Sequence, residues 1–272
     1  MSVISSVERS KGPTEPHAMR EPIRGIIHVH SHFSRDGLCS IADLAAFARE
    51  SGFQFVGLTD HVEDLSPPDF EALRRECKEH SDELCVMIPG LEYRCTGEIH
   101  ILGLGITHDI SSDDPVVVAS EIRRMGGLAV LAHPGRNGYQ CPPELCAALN
   151  GIEIWNAGYD GRFVPPLAGI QLLGEAREAN SSILGIGGAD LHGLHRHPGV
   201  VLQLPINGRD GIDTGLVLQY LRTGSFSICG QFVSFSSHAA PHRLGWICLW
   251  AFRKMYDFSK AIRNAIDYPP SH

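Results

Sequence analysis

Imidazoles and carboxylates stand at the ends of apolar runs along the whole chain. Ile26–Gly37 reads IIHVHSHFSRDG and supplies His28, His30 and Asp36. Asp60-His61, Glu92, His100, His133 and Asp190-Leu191-His192 follow. Neutral imidazole suits borderline-soft divalent ions, while a carboxylate offsets charge and can bridge two ions. Residues i and i+2 of a strand point to one face, so His28 and His30 can grip a single metal. One His-x-His is weak evidence, because polar residues commonly close a strand. Asp60 set aside, six strand ends carrying nine such side chains make a metal cluster.

The elements that must position these groups alternate between strand and helix. Strands are expected at Ile23–His30, Phe53–Thr59, Leu84–Pro89, Ile99–Gly105, Leu128–Ala132, Gly151–Trp155, Ile183–Ile186, Gly199–Leu204 and Ser225–Cys229. Ser40-Ile41-Ala42-Asp43 reads as a capping box opening a helix with Ile41, Leu44, Ala45 and Ala48 as its buried stripe. Further helices are expected from Pro67 to about His80, from Pro115 to Gly126, over Pro142–Leu149 and Pro165–Asn180, and around Ile212–Arg222. Strands apolar on both faces, alternating with amphipathic helices, indicate an α/β fold with a parallel, helix-covered sheet. About seven such units favour a TIM-like barrel, in which strand ends converge on one mouth. No glycine-rich nucleotide turn follows the first strand, which argues against a doubly wound sheet.

Three domains are expected: a flexible tail over 1–22, a barrel domain over 23–233 and a C-terminal helical extension over 234–272. The extension contains a helix at Leu244–Ile266 rich in Trp, Phe and Ile with interspersed Lys and Arg. Such a helix packs its apolar side on the barrel, or serves self-association or contact with a membrane surface. The chain is 43% hydrophobic and 20% charged, with no run long enough to span a bilayer and no secretory leader, so a cytoplasmic location is expected. Eight cysteines form no C-x-x-C pair and read as reduced, small apolar residues. A formal net charge of −8 weighs against long nucleic acid as a partner.

The ordered set His28-x-His30, Asp36, Asp60-His61, Glu92, His100, Ala132-His133-Pro134 and Asp190-x-His192 resembles the PHP (polymerase and histidinol phosphatase) family. The resemblance runs from about Ile23 to Leu204, with Asp at the third position where some members have His. It implies a distorted (β/α)7 barrel with two or three divalent metal ions (Zn, Mn or Fe). In that reading His28, His30, Glu92 and Asp190 hold the first metal, and Glu92 bridges to a second completed by His100 and His133. Asp36, His61 and His192 hold a third. The implied activity is hydrolysis of phosphate esters by a metal-bridging hydroxide, with no protein nucleophile.

Among neighbours of the ligands, Arg136 is a candidate phosphate clamp. Asp60 is expected to orient a ligand rather than donate a proton. His195 and His197 are candidates for general acid or substrate contact, and His32 for lining the pocket. His17, His80, His108, His238, His242 and His272 read as surface residues. The motif order is similar to small TrpH/YciV-like phosphoesterases. Only 32 residues separate His100 from His133, fewer than in relatives with a helical insertion there, which implies a more open mouth. A small phosphorylated metabolite or nucleotide is the expected substrate. An exonuclease on short oligonucleotides, or a non-catalytic metal-stabilised interaction module, is the alternative.

Overall fold

The structure, a computed structural model, describes residues 22–195, 197–207, 211–238 and 243–267. The segment read as a flexible tail, together with His17, His242 and His272, lies outside the described residues, apart from Pro22.

The first half runs β1 (Pro22–Val29), α1 (Ile41–Glu50), β2 (Phe55–Leu58), β3 (Asp60–His61), α2 (Pro67–His80), β4 (Val86–Ile88), β5 (Gly90–Arg94), β6 (His100–Leu104) and α3 (Pro115–Arg124). The second half runs β7 (Leu128–Ala132), α4 (Pro143–Ala148), β8 (Gly151–Asn156), α5 (Ala157–Asp160), α6 (Leu167–Ala179), β9 (Leu184–Gly188), β10 (Val201–Asn207), α7 (Thr214–Thr223), β11 (Ser227–Cys229), β12 (Ser234–Ser236) and α8 (Arg243–Asp267). Helix α1 starts where its capping box predicts: Ser40 Oγ accepts from the Asp43 N–H while the Asp43 carboxylate accepts from Ser40. A cap of this kind is worth about 1 kcal/mol. The predicted stripe of Ile41, Leu44, Ala45 and Ala48 is buried.

The strands form two six-stranded sheets in a mixed α/β fold, ordered β12-β11-β10-β1-β2-β4 and β3-β5-β6-β7-β8-β9. Every residue of β2, β4, β6, β7, β8 and β9 is buried, as apolar runs covered on both faces should be. The chain passes from one sheet to the other across Thr59, between β2 and β3, and across Pro89, between β4 and β5. At the far side the Ala189 N–H donates to Ile27 O (2.9 Å), the Leu191 N–H to His28 O (3.1 Å), and the His30 N–H to Leu191 O (2.9 Å). The sheets are therefore in contact at two places.

Strand direction departs from the parallel expectation. β6 runs antiparallel to both β5 and β7, and β10 runs antiparallel to β1 and β11. Reversal of β6 has a direct consequence for the site. His100 is the first residue of its strand, whereas the other candidate ligands lie later in theirs or just beyond them. In a parallel strand His100 would sit at the wrong end of the sheet. In the antiparallel register it pairs with Ala132, beside His133. Two further differences are β5, a strand of its own that holds Glu92, and β12, which pairs with β11 beyond the expected domain edge at 233. No helix among the described residues is long and apolar enough to cross a membrane.

Candidate metal centre

All nine side chains singled out as ligands meet in one network, with Glu92 at its middle. Pairing of β3 with β5 sets His61 beside Glu92, and pairing of β5 with β6 sets His100 next to Arg94. Glu92 Oε1 lies 2.6 Å from His100 Nδ1 and 2.9 Å from His133 Nε2. Its Oε2 lies 3.2 Å from His28 Nε2, 3.4 Å from His30 Nε2 and 3.5 Å from His61 Nδ1. Asp190 Oδ1 is within 3.6–3.7 Å of His28, His30 and His192. Asp36 Oδ2 approaches His192 Nε2 (3.3 Å) and His61 Nε2 (3.6 Å) at the solvent side.

Three overlapping groups have ligand atoms close enough to share an ion: His30, Asp36, His61 and His192; His28, Glu92 and His133; and His28, His30 and Asp190. Burial makes them good receptors. His30 Nε2, His61 Nδ1, His100 Nε2 and His133 Nδ1 are buried without a hydrogen-bond partner. An unpartnered buried nitrogen costs about 1–3 kcal/mol, a cost that a bound cation removes. The donor set, imidazoles plus carboxylates, fits zinc, manganese or iron.

His28 and His30 converge, but not through regular strand alternation. β1 ends at Val29, its register with β2 shifts between Ile27 and Val29, and His28 takes φ 61°. His133 (φ 22°) and Asp190 (φ 50°) are also in this uncommon region for residues other than glycine. Three strained backbones at three candidate ligands mark a site whose geometry is imposed by its surroundings.

The electrostatics of the cluster are mutual. Burial alone would lower the His28 pKa, but the carboxylates of Glu153, Asp190 and Glu92 outweigh it and hold the ring well above its ordinary value. His30 goes the other way, because burial and the neighbouring His28 charge disfavour its protonated form. Burial would raise Glu92, yet His28 and the hydrogen bonds from His100 and His133 hold it well below the usual carboxylate range.

Glu153, absent from the expected site, is the main support that sequence reasoning missed. It is buried on β8, and its Oε1 lies 2.7 Å from His28 Nδ1. Its Oε2 accepts from the His133 N–H (2.7 Å) and from Asn156 Nδ2 (2.9 Å). A proton on His28 Nδ1 leaves Nε2 free to face the cluster. A side chain at Gly188 would collide with the Glu153 carboxylate, so glycine is required there. Glu153→Gln is expected to weaken metal binding by about 10- to 100-fold, as loss of such a support does elsewhere. Competitive chelator titration reads this directly, and unchanged affinity would show that Glu153 is only a filler.

Asp60 lies outside the network. Its carboxylate is fully buried and accepts from the backbone N–H groups of Ser31 (2.7 Å) and Ser34 (3.1 Å) and from both serine hydroxyls. Ser34 Oγ in turn accepts from the His61 N–H (2.9 Å) and lies 3.4 Å from His30 Nδ1. Asp60 thus reaches the ligands through Ser34.

Arg136 is at the mouth, donating to Tyr159 OH and to Glu98 Oε2, both at 3.3 Å. The Tyr159 ring is 4.9 Å from that of His133. His195 and His197 are exposed and, with Asp36, Asp190 and His192, line an open cavity of about 420 Å³. His32 does not line it: the strand has ended, and its exposed ring turns toward Glu76 on α2 (4.0 Å). His108 and His238 are exposed, and His80 is half-buried. The eight cysteines are free thiols, with Cys77, Cys85, Cys95 and Cys146 buried.

Asp160, at the end of α5, has a carboxyl pushed up to about 6 by burial, against the Asn156 N–H it accepts and the nearby Arg253 charge. A raised carboxyl favours folding below its unfolded pKa of about 3.9, and that contribution is lost as pH rises through about 6. Asp160→Asn should therefore match the wild type near pH 4 and melt higher above about pH 6. The gain is on the order of 1–3 kcal/mol, several degrees in Tm. Parallel melting curves across pH check it; a gain at pH 4 that vanished at pH 7 would contradict it.

A search of curated proteins gives no match. A two-domain protein from Bacteroides vulgatus containing a predicted PHP-like metal-dependent phosphoesterase superposes with TM-score 0.53 at 16% identity. That match covers 85% of this chain and 71% of the other. A Bifidobacterium adolescentis protein described as a candidate metal-dependent phosphoesterase gives TM-score 0.47 at 19% identity over 65% of this chain and 90% of its own. The first of these shows a shared fold. The family model of the PHP domain matches residues 27–125, which include His28, His30, Asp36, His61, Glu92 and His100. Over residues 27–125 the chain is therefore similar to the PHP domain, a family whose model spans about a third of its length.

Proposed function

We propose that this chain is a metal-dependent phosphoesterase that hydrolyses phosphate esters of a small metabolite or nucleotide. The observation that carries the reading is the convergence of nine imidazole and carboxylate side chains around Glu92, with four buried imidazole nitrogens left unpartnered. His28, His30, Glu92 and Asp190 would hold one ion, and Glu92, His100 and His133 a second. Asp36, His61 and His192, with His30 close by, would hold a third. A divalent ion bound there polarises a phosphoryl oxygen and lowers the pKa of water. The fold reading that goes with this is a distorted (β/α)7 barrel, supported by the backbone hydrogen bonds joining the segment just after β9 to the end of β1.

The residues around the cluster supply binding and proton transfer. Arg136 offers a planar guanidinium that can take two phosphoryl oxygens. Its present partner Glu98 is an exposed side chain, and an exposed ion pair resists displacement weakly. His195 and His197, on the cavity rim, are placed to deliver a proton to a leaving oxygen. Arg136→Lys keeps the charge but loses the fork, so kcat/KM should fall by about 10- to 100-fold, mostly through KM. An unchanged KM would remove Arg136 from the site.

The test is hydrolysis by metal-analysed protein with Mn²⁺ added. The substrates are p-nitrophenyl phosphate, bis-p-nitrophenyl phosphate, a nucleoside 3′,5′-bisphosphate and a short oligonucleotide. Monoester or bisphosphate turnover that chelator abolishes and metal restores is the expected result. Turnover confined to the diester and oligonucleotide would replace the proposal with a nuclease. Bound metal without turnover on any of the four would make the centre structural.

A further inference from the structure

Helix α8 is built inside out for a surface helix. Its inward stripe is Leu249, which is buried, with Trp246, Arg253 and Tyr256 partly covered. Arg253 is occupied inward: its Nη1 donates to Asp160 O (3.1 Å) and Val164 O (3.2 Å), and its Nε pairs with Asp257 (3.0 Å). At 100° per residue, Ile247, Met255 and Phe258 point to the opposite side, flanked by Trp250 and Phe252. These side chains are 54–69% exposed. They are five of the ten large apolar side chains exposed among the described residues, so half of that surface sits on one helix. On the inward side, Tyr256 contacts Phe163, on which the exposed Phe232 stacks.

Charge decides what covers this face. From Arg243 to Asp267 the sequence holds five cations (Arg243, Arg253, Lys254, Lys260, Arg263) and two acids, a local charge of +3 in a chain of net −8. Lys254 is exposed and falls between Trp250 and Phe258 on the apolar face, whereas the exposed Lys260 lies on the Leu249 side of the helix. A second copy of α8 would bring like charge against like. An anionic lipid surface supplies both what the aromatic side chains need and what the cations need.

We propose that α8 docks in the plane of anionic bilayers, with Ile247, Trp250, Met255 and Phe258 entering the headgroup boundary and Lys254 at the phosphates. At 25 residues the helix is about 37 Å long and lies flat rather than spanning. Through Arg253 the same helix braces the segment from Asp160 to Val164, next to Tyr159 at the mouth of the metal centre. The inference is independent of the proposed phosphoesterase activity.

Vesicle sedimentation of the full chain tests it, with phosphatidylcholine alone and with roughly one third phosphatidylglycerol. Binding to the anionic vesicles should exceed binding to the neutral ones by about tenfold or more. It should weaken as salt rises from about 0.1 M to about 1 M, where the Debye length shrinks to about 3 Å. Lys254→Glu should reduce it by roughly tenfold. Trp250→Glu combined with Phe258→Glu should abolish it, with unchanged thermal melting showing that the fold survives. Equal binding to both vesicle types, none to either, or binding that survives the double variant overturns the proposal. A concentration-dependent dimer that the double variant dissolves, without vesicle binding, assigns the face to a second copy instead.

Discussion

Glu92→Gln is expected to empty the metal centre and abolish phosphoester turnover while leaving a folded protein. The carboxylate touches five imidazoles, those of His28, His30, His61, His100 and His133, at 2.6–3.5 Å. Both oxygens are used, each toward a different group of rings, which is the arrangement of a bridge. Glutamine keeps the volume but removes the charge and replaces one oxygen with an NH₂ that cannot ligate. A cluster of this kind supplies several kcal/mol of transition-state charge stabilisation, so the expected loss is about 10³-fold or more. The protein should survive because neutral rings can replace charged ones once the carboxylate is gone, and the strands on either side are apolar and fully buried. Metal analysis and turnover are read on the same sample. Wild-type metal content with wild-type turnover would sink the assignment of Glu92 as the bridge. Full metal with no turnover would keep Glu92 in the chemistry but remove its ligand role.

The same site shows what a sequence does and does not disclose. His28, His30, Asp36, His61, Glu92, His100, His133, Asp190 and His192 were legible because metal ligation accepts few residue types and the fold puts them at strand ends. Glu153 was not, since it belongs to no motif and acts only by touching His28 and the His133 backbone. A signal did exist: one carboxylate inside the apolar run Gly151-Ile152-Glu153-Ile154-Trp155 must find a partner if buried. Strand direction was invisible, because apolar burial on both faces reads alike in parallel and antiparallel strands. His100 opening its strand, where the other ligands lie later, was the available hint that β6 is reversed. β5 is not expected from the sequence, because Pro89 ends the strand before it. In fact Gly90 lets the chain pass close to Leu58 O and Gly103 O and resume pairing in the other sheet. Tyr159 and Glu98 carried no usable signal, as their contacts with His133 and Arg136 depend on how the loops fold.

Asp60→Ala should produce the largest loss of stability of any single change at the site. Asp60 takes two backbone N–H groups and two hydroxyls from Ser31 and Ser34, all buried, and burial already pushes its carboxyl up. Alanine strands those donors, most severely the Ser31 N–H, at about 1–3 kcal/mol for each group left unpaired. A total on the order of 3 kcal/mol corresponds to a fall of roughly 6–12 °C in Tm. The loop from Ser31 to Ser34 would loosen, and with it the Ser34 hydroxyl that sets His61 and approaches His30. Metal affinity should then drop by about 10- to 100-fold. Asp60→Asn separates this positioning role from proton donation. If Asp60 only positions, the variant is destabilised and binds metal weakly, yet saturating metal restores most of kcat. If instead its carboxyl delivered a proton to the leaving oxygen, kcat would stay low at saturating metal and the acid limb of the pH profile would change. The four hydrogen bonds to Asp60, three to Oδ1 and one to Oδ2, favour the first outcome: all of them come from one loop and fix the carboxylate within it, with Ser34 passing its effect on to His61 and His30.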